Sequence, residues 1–229
     1  TVAKDDSIFE EVKNFVGSAK ALNLVEFIAE NNHNLEKQIS SLISKLQDKS
    51  KPGIIGYYKT DKLEEIKPLW LLRKKGAALL GSMPGTRKPI AFIEDTAVNP
   101  RNLANYTKEF KKLLNSYNLK YAMFGHVDVG CLHVRPALDM KAPKDEKLIR
   151  EISDKVVDLV RKYGGVIWGE HGKGFRSEYT PLFFGEELYQ DLRKIKEVFD
   201  TKNKLNPGKI VTPYHLSLIH ISEPTRPIA

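Results

Sequence analysis

An α+β fold, with helices packed on one face of a largely antiparallel sheet, is the architecture this sequence predicts, and three observations predict it. Long stretches repeat their apolar residues at helical spacing. Short apolar runs between them are bounded by Gly, Pro and Asn. The strand–helix–strand rhythm of the first part gives way, late in the chain, to long helix, short strand, helix.

Taken in order, Leu22 to Ala29 alternates apolar and polar residues, the pattern of a half-buried strand. Asn34 to Leu46 places Leu35, Ile39, Leu42, Ile43 and Leu46 on one face of a helix. After Lys51-Pro52-Gly53, Ile54 to Tyr58 reads as a second strand. Asp61 reads as the N-cap of a helix through Leu63, Ile66, Leu69, Trp70 and Ala77, ended by Gly81-Ser82-Met83-Pro84-Gly85. Strands are expected at Ile90 to Glu94, Lys120 to Phe124 and Leu132 to Leu138, with a helix from Asn102 to Tyr117. Lys144 to Tyr163 carries Leu148, Ile152, Val156, Leu159 and Val160 on one helical face. Val166 to Trp168 is the short strand, and Glu187 to Phe199 the closing helix.

The 229 residues suffice for one large domain or two small ones. At 41% hydrophobic and 29% charged residues, the chain resembles neither a disordered nor a membrane-embedded protein. No apolar run approaches the roughly 20 residues a spanning helix needs. The net charge of +8 invites a nucleic-acid reading. Its bases, however, are interspersed with acids, as in Lys144 to Arg161, a solvated helical face, and an anionic small substrate accounts equally well for the excess. A single cysteine, Cys131, rules out an intramolecular disulfide framework or a Cys-cluster zinc site and fits a reducing, cytoplasmic setting.

Residues 1–21 read as a cut end, since Thr1 to Ser7 has neither an initiator Met nor a signal pattern. The domain proper is taken as 22–215. Leu216 to Arg226 resembles the in-frame translation of a transposon-end adapter, so 216–229 is set apart as a non-native tail, and His220 is given no ligand role.

The chemistry concentrates in two segments. Between Phe124 and Pro136, His126 and His133 bracket Gly130 in a strand–turn–strand, and the turn lets both imidazoles converge. Imidazole nitrogens suit zinc and other first-row divalent metals, but two histidines leave a site incomplete. The best third ligand is Glu170, in the glycine-rich Gly169-Glu170-His171-Gly172-Lys173-Gly174 turn. A His-His-Glu set leaves a coordination position open for substrate, and His171 beside it is placed to act as a base. The plainer alternative has one histidine satisfying a core hydrogen bond and the other on the surface.

Other matches are weak. Gly172-Lys173 and Gly208-Lys209 lack the rest of a phosphate-binding loop. Asp128 suits a turn better than a metal, and Cys131 suits a buried apolar position better than a nucleophile.

These residues resemble the C-terminal domain of FAD-linked oxidases, within the flavoenzymes that include D-lactate and D-2-hydroxyglutarate dehydrogenases. The resemblance covers about Leu22 to Val211. It rests on Gly125-His126 through Leu132-His133, on Gly169 to Gly174, and on Phe199-Asp200 through Leu205-Asn206-Pro207-Gly208-Lys209. It implies a ferredoxin-like substrate domain in which His126, His133 and Glu170 bind a divalent metal, zinc first, with manganese and iron as alternatives. It further implies that His171 takes the proton of a substrate hydroxyl as hydride leaves for the flavin. Arg73 and Lys88 look like its substrate-carboxylate contacts, and Asn206 like a flavin contact.

The sequence departs from the commoner Gly-His-x-Gly-Asp-Gly-Asn-x-His form at Val127 to Cys131, and Arg135 stands where many relatives carry a polar amide near substrate. That form looks more like the long bacterial members that add an iron–sulfur region downstream, although this chain carries no iron–sulfur ligands. The implied function is the substrate- and metal-binding domain of a FAD-dependent 2-hydroxy-acid dehydrogenase of the D-2-hydroxyglutarate or D-lactate class. Its FAD is expected to be held mainly by an upstream domain, its electron acceptor is left open, and the chain by itself is expected to be inactive. The intact enzyme is expected in the cytoplasm, with peripheral contact to the inner membrane as the alternative. A non-redox metal-dependent hydrolase and a non-catalytic basic binding module are the competing readings.

Overall fold

The computed structural model describes residues 19–48, 53–79, 85–172 and 176–211, and divides the chain into two compact units, Thr1–Met83 and Pro84–Ala229. This boundary falls within the 22–215 span. The expected N-terminal cut end up to residue 18, the expected Gly81 to Pro84 breaker, part of the Gly172 to Gly174 turn and the expected 216–229 tail lie outside the described residues.

The N-terminal unit contains two helices. Helix α1 (Asn32–Leu46) starts where the Asn31 side chain caps the Asn34 amide at 2.9 Å. Its predicted stripe, Leu35, Ile39, Leu42, Ile43 and Leu46, is the half-buried face, as periodicity required. Helix α2 (Leu63–Leu79) begins one residue later than the Asp61 cap implied, because the Lys62 carbonyl accepts the Ile66 amide. Neither Leu22–Ala29 nor Ile54–Tyr58 forms a strand. Alternation alone does not make one: no ladder partner exists for either among the described residues, and Leu22, Val25, Ile28 and Ile55 remain exposed.

The second unit is built on β4 (Cys131–Leu138), flanked by β3 (Tyr121–His126), β1 (Lys88–Pro89) and β2 (Thr96–Ala97), all antiparallel to it. β3 runs along β4 from Tyr121 opposite Pro136 to His126 opposite Cys131. β2 meets the Cys131 end of β4, and β1 the Leu138 end. The expected strand at Ile90–Glu94 is instead the connection between β1 and β2. Its Phe92 and Ile93 are in the core, and the chain bends through a left-handed Asp95 at φ 69°. Val166–Trp168 contributes only a bridge to Ala97.

Side chains alternate across β4, and this alternation separates fold from chemistry. Leu132, Val134 and Leu138 face α3 (Leu103–Ser116) and α4 (Pro143–Lys162), where Tyr106, Phe110, Leu114, Ile152, Val156 and Val160 complete the core. Tyr106 also donates its hydroxyl to Thr96 at 2.8 Å. Cys131, His133 and Arg135 point to the opposite face. The last helix, α5 (Thr180–Phe199), starts seven residues before the predicted Glu187 and kinks at Gly185, whose φ of 74° no helix accommodates.

Candidate metal and proton-transfer site

The β3–β4 hairpin turns through Val127–Gly130, with the Gly130 amide donating to the Val127 carbonyl. Gly130 sits at φ 71°, and a Cβ there would collide with the carbonyl of Val98, so the turn needs glycine. Because His126 pairs with Cys131, two residues before His133, both histidines emerge on the same face of the sheet as diagonal neighbours. Their rings lie 5.8 Å apart at 88°. This is the convergence the seven-residue spacing predicted.

Glu170 completes the group from 37 residues further along the chain. Its Oε1 lies 3.3 Å from His126 Nε2 and its Oε2 3.5 Å from His133 Nε2. Four ligands on a tetrahedron with metal bonds of about 2.1 Å stand about 3.4 Å from one another, so these separations fit a divalent cation. His133 is 3% exposed, and burial lowers its pKa, which disfavours an imidazolium facing the carboxylate. A neutral imidazole opposite a carboxylate suits a cation between them. The nitrogen–nitrogen–oxygen donor set accepts zinc, manganese or iron.

His171 stacks on His133 with ring centroids 5.0 Å apart, its Nε2 4.0 Å from Glu170 Oε2 and its Nδ1 3.7 Å from Glu94 Oε1. Half-exposed, its ring is open to a ligand arriving at the site. Glu94 in turn accepts from Arg135 Nε at 2.6 Å, and the Arg135 guanidinium lies over the Phe124 ring. Arg135 is therefore beside the site, two residues along β4 from His133, with part of its charge answered by Glu94.

The other two predicted substrate contacts are Lys88 and Arg73. Lys88 stands opposite Leu138, five residues along β4 from His133, or about 17 Å at strand rise. Arg73 is exposed on α2 in the N-terminal unit, its guanidinium 5.8 Å from the Trp70 ring. Asn206 adopts φ 47° in the turn after α5 and lines an apolar cavity of about 670 Å³ with Leu192, Ile195, Phe199 and Val211. Asp128 is exposed in the hairpin turn. Cys131 is buried, as expected, with its Sγ 4.0 Å from His133 Nε2 and 3.7 Å from Asp95 Oδ1. Burial, with Glu170 and Asp95 nearby, pushes its thiol up to about 12.

Glu94 and Asp95 were missed in the sequence. The available signal was two consecutive carboxylates directly after an apolar run, which a buried segment does not carry without a reason. Arg176, a half-buried cation at φ 59° that donates to the Ile167 carbonyl, was missed as well. Its pKa is lowered by burial against the opposing fields of Asp95 and Glu94.

The family model described as FAD linked oxidases, C-terminal domain, matches residues 2–210. The chain is 47% identical over 221 residues to a D-2-hydroxyglutarate dehydrogenase of Pantoea ananatis (strain AJ13355), covering 93% of this chain and 22% of that protein. To the D-2-hydroxyglutarate dehydrogenase of Escherichia coli (strain K12) it is 46% identical over 220 residues, with the same coverages of 93% and 22%. A D-lactate dehydrogenase of Archaeoglobus fulgidus is 36% identical over 129 residues, covering 56% of this chain and 28% of that protein. The chain thus spans about a fifth of the length of the D-2-hydroxyglutarate dehydrogenases it matches.

Proposed function

The chain belongs to the C-terminal domain family of FAD linked oxidases, and from that premise we propose that it is the substrate- and metal-binding part of a FAD-dependent 2-hydroxy-acid dehydrogenase. D-2-hydroxyglutarate is the first substrate and D-lactate the second, following the relatives so named. The observation that carries the reading is the meeting of His126, His133 and Glu170 at spacings suited to one cation, with the His171 imidazole beside them.

In this reading His126 Nε2, His133 Nε2 and the Glu170 carboxylate hold the metal. FAD, when bound, accepts hydride from substrate C2, and a divalent cation, when bound, polarises the substrate hydroxyl and carboxylate oxygens. His171 takes the hydroxyl proton on Nε2 while Glu94 faces its Nδ1, so the substrate loses one hydride and one proton and leaves as the 2-oxo acid. Arg135, anchored through Nε, presents its remaining N–H edge to a substrate carboxylate. Arg73 and Lys88 are assigned the same task, and Asn206 contact with the flavin, on the family resemblance.

The test uses the full-length polypeptide containing this chain, loaded with FAD. D-2-hydroxyglutarate should bleach the oxidised flavin absorbance, and the protein should hold about one equivalent of zinc, manganese or iron. A His126→Ala, His133→Ala double variant that keeps its FAD should lose both. Undiminished flavin reduction by that variant would overturn the assignment, as would flavin-independent turnover of a hydroxy acid by this chain alone.

A further inference from the structure

We propose that Asp95 is the positioning residue of this site, holding the Gly169–Glu170–His171 turn so that the carboxylate of Glu170 and the imidazole of His171 face the two hairpin histidines. The proposal deepens the metal reading and rests on it.

Three consecutive backbone amides end on this one residue. Gly169 N donates to the Asp95 main-chain carbonyl at 2.9 Å, Glu170 N to Oδ1 at 2.8 Å and His171 N to Oδ2 at 3.0 Å. Neighbouring side chains on extended backbone point to opposite sides, so Glu170 and His171 can share a centre only if the backbone between them is held bent. Each oxygen of the Asp95 carboxylate fixes one of the two amides. The site distances follow: Glu170 reaches both hairpin histidines, and His171 lies on the His133 ring at 17°.

Asp95 holds this place against two opposing terms. At φ 69° it is in the left-handed region, which a residue with a Cβ rarely occupies. It is also 1% exposed, so its carboxylate is removed from water beside Glu170 and Glu94, with the half-buried Arg176 as its cationic counterpart. Strained, buried polar residues of this kind persist where the surrounding structure uses them. The space is committed too, since a Cβ on Gly169 would come within 3.2 Å of Asp95 Oδ1.

Asp95→Asn keeps the left-handed tendency and one acceptor but turns an NH₂ towards the other amide. Asp95→Gly takes up φ 69° freely and removes both side-chain acceptors. Asp128→Asn, in the exposed hairpin turn, is the control. In the full-length FAD-bound protein, each Asp95 variant should weaken binding of added Zn²⁺ or Mn²⁺ by roughly ten- to a hundredfold, the effect typical of removing a group that orients a ligand. It should also lower kcat more than it raises KM, while the control matches wild type. Hydrogen exchange at the Glu170 and His171 amides should accelerate in the variants, with or without metal.

Wild-type metal affinity and unchanged amide exchange in a folded Asp95 variant would overturn the proposal. So would failure of both variants to fold, which would assign Asp95 to the fold alone. Wild-type protein that takes up no metal would instead overturn the metal reading, and the exchange measurement alone would then decide whether Asp95 holds the turn.

Discussion

Replacing Gly169 by alanine tests how tightly the site is packed against the back of the sheet. The Gly169 φ is outside the left-handed region, so alanine meets no backbone penalty and the question is one of space. An added Cβ would stand 2.9 Å from Cys131 Sγ, 3.2 Å from Asp95 Oδ1 and 3.3 Å from Ala97 Cβ. Against ordinary carbon contacts of about 3.5–4.0 Å, the sulfur must retreat by about 0.6 Å or more and the other two by a few tenths. Overpacking of this size costs about 1–3 kcal/mol, offset by about 0.4–1 kcal/mol for the lost freedom of the unfolded chain. The net expectation is a destabilisation of up to about 2.6 kcal/mol, centred on about 1.3 kcal/mol.

Cys131→Ala removes the closest obstacle, so Gly169→Ala should cost at least about 1 kcal/mol less in that background. Urea unfolding followed by Trp168 fluorescence, at the neighbouring and nearly buried indole, measures all four proteins of the cycle. Additivity within about 0.5 kcal/mol would refute the contact as the cause.

Three further outcomes are expected. Phe110→Ala, at a fully buried ring edge-on to Tyr106, should lower stability by about 3–5 kcal/mol in the same assay, and a loss under about 1 kcal/mol would mean that α3 is not packed as described. With its thiol held up to about 12, Cys131 should resist Ellman's reagent at pH 8 in the folded chain and react at once in denaturant; rapid native labelling would contradict its burial. Asp200 is held down to about 2, first by the Lys196 ammonium at 2.7 Å and further by the Lys204 and Leu205 amides. Its folded pKa lies below the ordinary aspartate value of about 3.9, so its contribution is full above that pH and is lost as pH falls towards 2. Thermal midpoints between pH 5 and 2 should therefore fall less steeply in Asp200→Asn than in wild type, and parallel curves would remove Asp200 from the account.

The sequence by itself determined these helices, because helical spacing is local: Leu35 to Leu46 half-buries, and Leu148 to Val160 buries, the face its periodicity marked. It also determined the β3–β4 hairpin, since Gly130 and the strand alternation on either side fix which face His126 and His133 share. Glu170 was legible as a candidate beside glycines. Leu22–Ala29 and Ile54–Tyr58 have strand patterns and no ladder, because a strand is completed only by a partner that its own residues do not specify.

Only the tertiary structure decided what surrounds the site, for the same reason at longer range. Asp95 meets Glu170 across 75 residues and Arg135 meets Glu94 across 41, separations that leave no periodic mark in either segment. Asp95 is one acidic residue among 29 in the sequence. Its importance comes from two hydrogen bonds and a left-handed backbone, which exist only once β2 and the Gly169 turn are brought against β4.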